Sequence, residues 1–214
     1  MSRIEDMISE LCPEGVEYKT LGEIGIFVRG NGLQKKDFTD EGIGCIHYGQ
    51  IYTYYGLFAD KTKSYTSPEL AKKFKKAKYG DIVIAATSEN VEDVCKAVAW
   101  LGKDEIAISG DAYIFSHSQN PKYISYFFSS ESFQDQKKPF VTGTKVMRVS
   151  DRAMSKIHIP VPPIEIQNEI VNILDKFTEL EAELEARHKQ YEYYRNKLLN
   201  FSNFDGGGRD ILKA

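Results

Sequence analysis

Apolar residues in this chain fall in short runs first and in a heptad stripe last, with the change of period at the prolines of Ile157–Gln167. Seven runs predict β-strands: Ile24–Val28, Ile43–Ile51, Ile82–Ala86, Ala97–Leu101, Ile106–Ser109, Ala112–Phe115 and Ile157–Val161. They are rich in Val, Ile, Phe and Tyr and are separated by Gly, Asp and Asn. Two stretches between them predict helices. One is Pro68–Lys78, with Ser67 ahead of a first-turn proline; the other is Pro121–Ser130, with Asn120 placed to cap it. At the N-terminus, Ile4, Met7, Ile8 and Leu11 have helical spacing, so a lead-in helix is expected over residues 2–11, ended by Cys12-Pro13-Glu14-Gly15. The pattern predicts an α+β domain over residues 1–163, a twisted mixed β-sheet with a few helices.

From Ile170 the period changes. Ile170, Ile173, Phe177, Leu180, Leu184, Tyr191, Tyr194 and Leu198 alternate steps of three and four, the a/d seam of a coiled coil. A helix over residues 164–201 is expected, roughly 50 Å long at the usual rise. The polyproline-like joint Pro160-Val-Pro-Pro163 is stiff and should project this helix away from the strand before it. Arg187 interrupts the seam. Glu179, Glu181, Glu183 and Glu185 precede Arg187, Lys189, Arg195 and Lys197, so two antiparallel copies would bring opposite charges together. The helix is therefore expected to be a partner surface, and a homodimer is the simplest partnership. Gly206–Gly208 predict a flexible tail over residues 202–214.

The net charge of −3 neither supports nor excludes a nucleic-acid partner, because acidic residues crowd the helix and dilute a more basic domain. Cys12, Cys45 and Cys95 are far apart and odd in number, which argues against a disulfide framework and a zinc ribbon. No apolar run approaches the roughly 20 residues of a membrane span, and Glu5, Asp6 and Glu10 break any signal-peptide core; a cytoplasmic protein is expected.

Catalytic constellations are weak. Asn120-Pro-Lys-Tyr123 has the outline of an adenine methyltransferase loop, but Lys122 stands where a second proline belongs and Asn-Pro equally starts a helix. Phe27-Val-Arg-Gly-Asn-Gly32 lacks the βαβ setting and distal acid of a cofactor turn. Asp81, Asp104, Glu105 and Asp111 sit among strands in turn-like contexts, and His47, His117, His158 and His188 are scattered. No catalytic residue, metal site or cofactor is expected.

Nucleic-acid chemistry has more material. Arg29, Asn31, Gln34, Lys35 and Lys36 lie on one Gly-containing loop, where cations can meet phosphates and amides can read adenine edges. His47, Tyr48, Gln50, Tyr52 and Tyr54 interleave aromatic and hydrogen-bonding groups. Thr87, Ser88 and Asn90 follow a buried strand, and Thr142, Thr144, Lys145 and Arg148 form a small basic loop before the exit strand. All these sit on loops that follow or join strands, where recognition residues are commonly mounted. The run Lys72, Lys73, Lys75, Lys76 and Lys78 is expected instead to be the solvated face of a helix.

Several landmarks resemble one family. The run Ile159-Pro-Val-Pro-Pro-Ile-Glu-Ile-Gln167 and its helix resemble the end of a target recognition domain and the spacer helix in DNA-specificity subunits of type I restriction-modification systems. Gly15–Ile24, Gly44–Ile51, Gly80–Ile84, Ser109-Gly-Asp111 and Thr142-Gly-Thr144 resemble that domain's opening and internal landmarks, in order. The resemblance implies sequence-specific binding of double-stranded DNA with a bipartite target, and partnership with separate methyltransferase and restriction subunits that carry the catalysis. It implies no cofactor. Family members usually carry two recognition domains and two helices packed antiparallel, whereas this chain has one of each; a half-length subunit could restore the arrangement by dimerising. The alternatives are a methyltransferase or nuclease segment with its own catalytic site, or a coiled-coil adaptor that binds no DNA.

Overall fold

Two strands buried residue after residue, Ile82–Ala85 and Ala97–Trp100, organise the domain. Burial on both faces explains why they are continuous apolar runs rather than alternating ones. The computed structural model describes residues 3–200 and divides the chain into two units, one ending at Glu169 and one beginning at Ile170.

The first unit contains two five-stranded sheets where one was expected. In the first, the spatial order is Gly25–Arg29, Ala112–His117, Ile82–Ala85, Ala97–Trp100 and Phe58–Ala59; only the last pair is parallel. In the second, the order is Phe38–Thr39, Ser64–Thr66, Ile43–Ile46, Ile106–Ile108 and Lys76–Ala77, with Ile43–Ile46 parallel to Ile106–Ile108. Val83, Val98 and Ile114 of the first sheet share a core with Ile46, Ile106 and Ile108 of the second. The opposite face of the first sheet is covered by the helices Pro121–Ser129 and Glu131–Lys137, with Phe115, Phe128 and Phe133 in ring contact. Each such phenylalanine, fully buried, contributes about 1.5–3 kcal/mol.

Local signals decided some elements as expected. Asn120 caps its helix, its side-chain oxygen accepting from the N–H groups of Lys122 (2.9 Å) and Tyr123 (3.1 Å). The lead-in helix is present over Arg3–Leu11. Two expectations are corrected. The strand expected over Ile43–Ile51 stops at Ile46, because His47 caps a helix, Tyr48–Thr53. Its Nδ1 accepts from Gly49 N–H at 3.2 Å while Gln50 Oε1 accepts from His47 N–H at 3.0 Å, a reciprocal capping box that outweighs the β-propensity of the tyrosines. The helix expected over Pro68–Lys78 ends at Ala71. Asn31 takes Lys73 C=O (2.9 Å) and Lys75 N–H (2.6 Å) into its own amide, and Lys76–Ala77 then joins the edge of the second sheet. The short helices Leu21–Ile24, Glu131–Lys137 and Asp151–Met154 were not anticipated.

The exit strand His158–Pro160 pairs antiparallel with Tyr18–Thr20. Gln167, almost fully buried, fastens the following turn: Nε2 donates to Pro162 C=O (2.8 Å) and Gln119 Oε1 (2.7 Å), and Oε1 accepts from Asn120 N–H (3.0 Å). One side chain thus joins the proline run to the cap of the helix Pro121–Ser129. The long helix covers Ile164–Leu199. Within the second unit, its apolar stripe is open to solvent at Phe177, Leu180, Leu184, Tyr191, Tyr194 and Leu198, each about half to two-thirds exposed. Glu183–Arg187 and Glu185–Lys189 form i,i+4 ion pairs on this helix. The tail expected over residues 202–214 lies outside the described residues, as do Ser2 and Phe201. No described helix is long and apolar enough to cross a membrane.

Two predictions concern stability. Gln167→Leu should cost about 1–3 kcal/mol, because it leaves Pro162 C=O and Asn120 N–H unpaired in the interior; urea unfolding should show a lower midpoint at unchanged slope. The second concerns His117, whose Nδ1 accepts from Gln119 N–H at 3.1 Å while its buried Nε2 has no partner. Burial pushes its pKa down from 6.5 to about 4, against a smaller upward pull from Asp81. The unfolded chain therefore binds a proton that the folded chain refuses. The stability His117 contributes is full above pH 6.5 and falls as pH drops toward 4, by up to roughly 3 kcal/mol. Urea titrations of wild type and His117→Asn across that window should converge on acidification; parallel curves would contradict this.

Candidate nucleic-acid interface

Four segments distant in sequence converge on one open cleft of about 490 Å³. Its walls are the turn at Lys35, the helix residues Tyr48, Tyr52 and Thr53, the segment Thr87–Asn90 with Asp93, and Val146. The last arrives because Met147–Arg148 pairs antiparallel with Thr87–Ser88. Thr142 and Arg148 close the connecting loop through reciprocal backbone hydrogen bonds of 2.9 and 2.8 Å. Gly143 makes that turn possible: its φ is +102°, and a Cβ there would collide with Val146 C=O.

Of the residues singled out from sequence, Lys35, Tyr48, Tyr52, Thr87, Ser88 and Asn90 line this cleft. Tyr48 N–H donates to Ser109 Oγ (2.9 Å), fixing the helix start against the second sheet. The Tyr52 hydroxyl donates to Thr87 C=O (2.7 Å), tying helix to loop, and burial raises its pKa strongly. Thr87 is buried and Ser88 half-buried. Asn90 is exposed, and its amide braces the turn by donating to Asp93 Oδ2 (2.8 Å) and accepting from Asp93 N–H (2.7 Å). Thr142, Thr144, Lys145 and Arg148 are exposed on the adjacent hairpin.

The others have different surroundings. Gln50 is nearly buried; besides capping through His47, it donates to Ser64 Oγ at 2.7 Å, so its amide is spent inside the fold. Asn31 is spent on the Lys73–Lys75 backbone. Arg29 is exposed but tethered, donating from Nε to Gly110 C=O (2.9 Å) with its guanidinium 3.5 Å from Asp111. Gln34 and Lys36 are exposed around the turn Lys35–Asp37, where Gln34 N–H donates to Asp37 Oδ2 at 2.8 Å. His47 is half-buried, and burial, reinforced by Lys35, lowers its pKa against an upward pull from Asp111. Tyr54 is exposed outside the cleft, with Lys63 Nζ 4.7 Å from its ring centre.

Sequence reading missed Thr53, Glu89, Asp93 and Val146 on the cleft walls. It also missed the fully buried Lys137, whose Nζ donates to Glu92 C=O and Val94 C=O, both at 2.9 Å. These bonds hold the loop behind Asn90, where Cys95 adopts a left-handed φ of 69°. Burial lowers the lysine's pKa. Nothing in Gln136-Lys-Lys-Pro139 distinguishes an interior lysine from a surface one. Among the described residues no group of three or more His, Cys, Asp or Glu side chains is arranged to hold a metal ion.

Chemically, the arrangement offers an open, part-aromatic groove with amide and hydroxyl groups at its wall and cations at its rim. Glu89 and Asp93 make the groove itself mixed in charge. That composition suits hydrogen-bonded readout of a polar edge better than simple anion capture.

The chain is similar to curated specificity subunits. It is 31% identical over 201 residues to the EcoR124I/EcoR124II type I restriction enzyme specificity subunit of Escherichia coli, covering 87% of this chain and 48% of that protein. It is 31% identical over 169 residues to a putative type I restriction enzyme specificity subunit of Haemophilus influenzae, covering 69% and 40%. Solved structures share the fold. A chain in a type I R-M system assembly aligns with a TM-score of 0.64 at 17% identity, over 91% of this chain and 48% of that one. The HsdS subunit from Thermoanaerobacter tengcongensis gives 0.56 at 17%, over 86% and 44%. The chain thus spans less than half the length of each of these proteins. The family described as the type I restriction modification DNA specificity domain matches residues 13–192, and by that extent this chain belongs to it.

Proposed function

We propose that this chain reads DNA sequence for a type I restriction-modification enzyme and performs no catalysis itself. Methyl transfer and cleavage reside in separate methyltransferase and restriction subunits, which the chain directs to a bipartite target. The observation that carries this reading is the convergence of four segments on one cleft, in a chain of the specificity-domain family. Residues at the cleft and its rim divide the work by chemistry. Lys35, Lys36, Lys145 and Arg148 neutralise phosphates, while Gln34, Tyr48, Ser88, Asn90 and Thr144 face base edges. Asn31, Gln50, Thr87 and Lys137 hold the segments that present them.

The test is methylome mapping in cells expressing the chain with type I methyltransferase and restriction subunits. Methylated adenines should appear at one bipartite motif that disappears when the chain is omitted; methylation independent of the chain would reject the reading. In that assembly, Asn90→Ala should relax target choice at one position, by roughly 1–3 kcal/mol. Lys35→Ala with Lys36→Ala should weaken binding alike on every sequence.

The exposed seam supports a second part of the proposal, antiparallel pairing of two copies through Phe177, Leu180, Leu184, Tyr191, Tyr194 and Leu198, with Ile170 and Ile173 at its start. Six large apolar side chains in water along one stripe are a standing drive to associate. A two-fold assembly places two identical recognition domains on opposite strands, so the target becomes an inverted repeat with a spacer set by the helices. Sedimentation should show a dimer that Leu180→Glu with Leu184→Glu converts to a folded monomer, since charges in the seam are desolvated. A monomeric wild type contradicts pairing and leaves the recognition reading in place.

A further inference from the structure

The lysine run 72–78, expected on a helix face, instead forms an arm that turns out of the helix at Lys72–Lys73 and runs into an edge strand. The helix ends at Ala71, and Lys72, Lys73, Lys75, Lys76 and Lys78 are all exposed along the path to the edge strand Lys76–Ala77. The arm's backbone is fixed at several points. Lys73 N–H donates to Leu70 C=O (2.9 Å), Ile108 N–H donates to Lys75 C=O (3.0 Å), and the Asn31 amide binds both Lys73 C=O and Lys75 N–H. Between those lysines, Phe74 turns inward against the cluster of Leu33, Cys45 and Ala107. Gly32 lies close under Phe74 with φ +69°, where a side chain would be strained. The loop carrying Lys35 and Lys36 and the arm carrying Lys72–Lys75 are therefore stitched to each other. Lys76 pairs with Glu105 at 3.7 Å, whereas Lys35, Lys36, Lys72, Lys73 and Lys75 make no ion pair among the described residues.

We propose that Lys72, Lys73 and Lys75 form, with Lys35 and Lys36, a continuous track that grips the phosphate backbone of duplex DNA beside the cleft. The proposal rests on the DNA-recognition reading above. Five unpaired ammonium groups on two cross-fastened segments match a polyanion, and Lys35 belongs to both the track and the cleft wall, so a duplex in the cleft passes the arm. Lysine suits such a track because its ammonium is a point charge that follows phosphate without selecting a base. The track would supply affinity and register, and the cleft would supply choice.

Fluorescence anisotropy of the full chain with a labelled duplex, at a series of salt concentrations, tests this. Lys72→Gln, Lys73→Gln and Lys75→Gln together should lower the slope of log K against log salt by about two to three, with the same fold-loss on unrelated sequences. The triple Lys→Arg variant should keep the wild-type slope. A wild-type slope in the glutamine variant overturns the track and leaves the recognition reading standing, as it would if an acidic protein segment were the true occupant. Loss in the arginine variant equal to that in the glutamine variant also overturns it, because charge would not be the cause. Wild type that binds no duplex at any salt rejects the recognition reading and the track with it.

Discussion

Burial of two inner strands of the first sheet on both faces is the constraint from which the rest of the domain follows. Apart from the Trp100 indole, whose N–H donates to Asp104 C=O, Ile82–Ala85 and Ala97–Trp100 carry no polar side-chain group, so hydrogen-bonding chemistry is pushed into the connections. Connections of that kind are held in one shape only by polar side chains that reach the backbone. Asn31, Gln50, Asn90, Lys137 and Gln167 each do so, and each fastens a segment at the cleft, the lysine arm or the exit turn. The interior lysine is the extreme case: its ammonium is out of water, and two backbone carbonyls replace part of its hydration.

Such staples separate the roles of chemically similar residues. Asn31 and Asn90 are both exposed amides on loops, yet Asn31 has its oxygen and nitrogen committed to another segment, while Asn90 braces only its own turn at the cleft wall. Gln34 and Gln50 differ likewise, the first in solvent and the second inside the fold. Asn90 apart, the side chains that fix these loops and those that face outward are different ones, so the outward set can vary without disturbing the core.

The long helix follows another logic. Beyond Lys176 its described side chains are exposed, apolar stripe included, so nothing within that unit covers the stripe. Its stability as a helix rests on i,i+4 ion pairs such as Glu185–Lys189 and on its length, contributions of a few tenths of a kcal/mol each. An apolar stripe at that exposure favours association.

What the sequence determined by itself were elements governed by local rules: the two-sided strands, the Asn120 cap, the proline exit, and the heptad helix, where period and capping chemistry act within a few residues. Of the four groups of polar residues expected on loops, the one at His47–Tyr54 lies on a helix instead. Only tertiary structure decided the split into two sheets and the short helix ending at Ala71, whereas the helix at Tyr48–Thr53 rests on a local capping box that the β-propensity of its tyrosines masked. For the helix ending at Ala71 the deciding bonds come from Asn31, some forty residues upstream, and no window of sequence around Lys73 contains it. The same holds for the cleft. Pairing of Thr87–Ser88 with Met147–Arg148 brings together segments about sixty residues apart, and the backbone carbonyls of Glu92 and Val94 that hold Lys137 lie more than forty residues before it. Local propensity acts through neighbours in the chain, whereas whether a polar side chain such as Asn31 or Lys137 is spent inside the fold is set by which distant backbone group lies within about 3 Å of it.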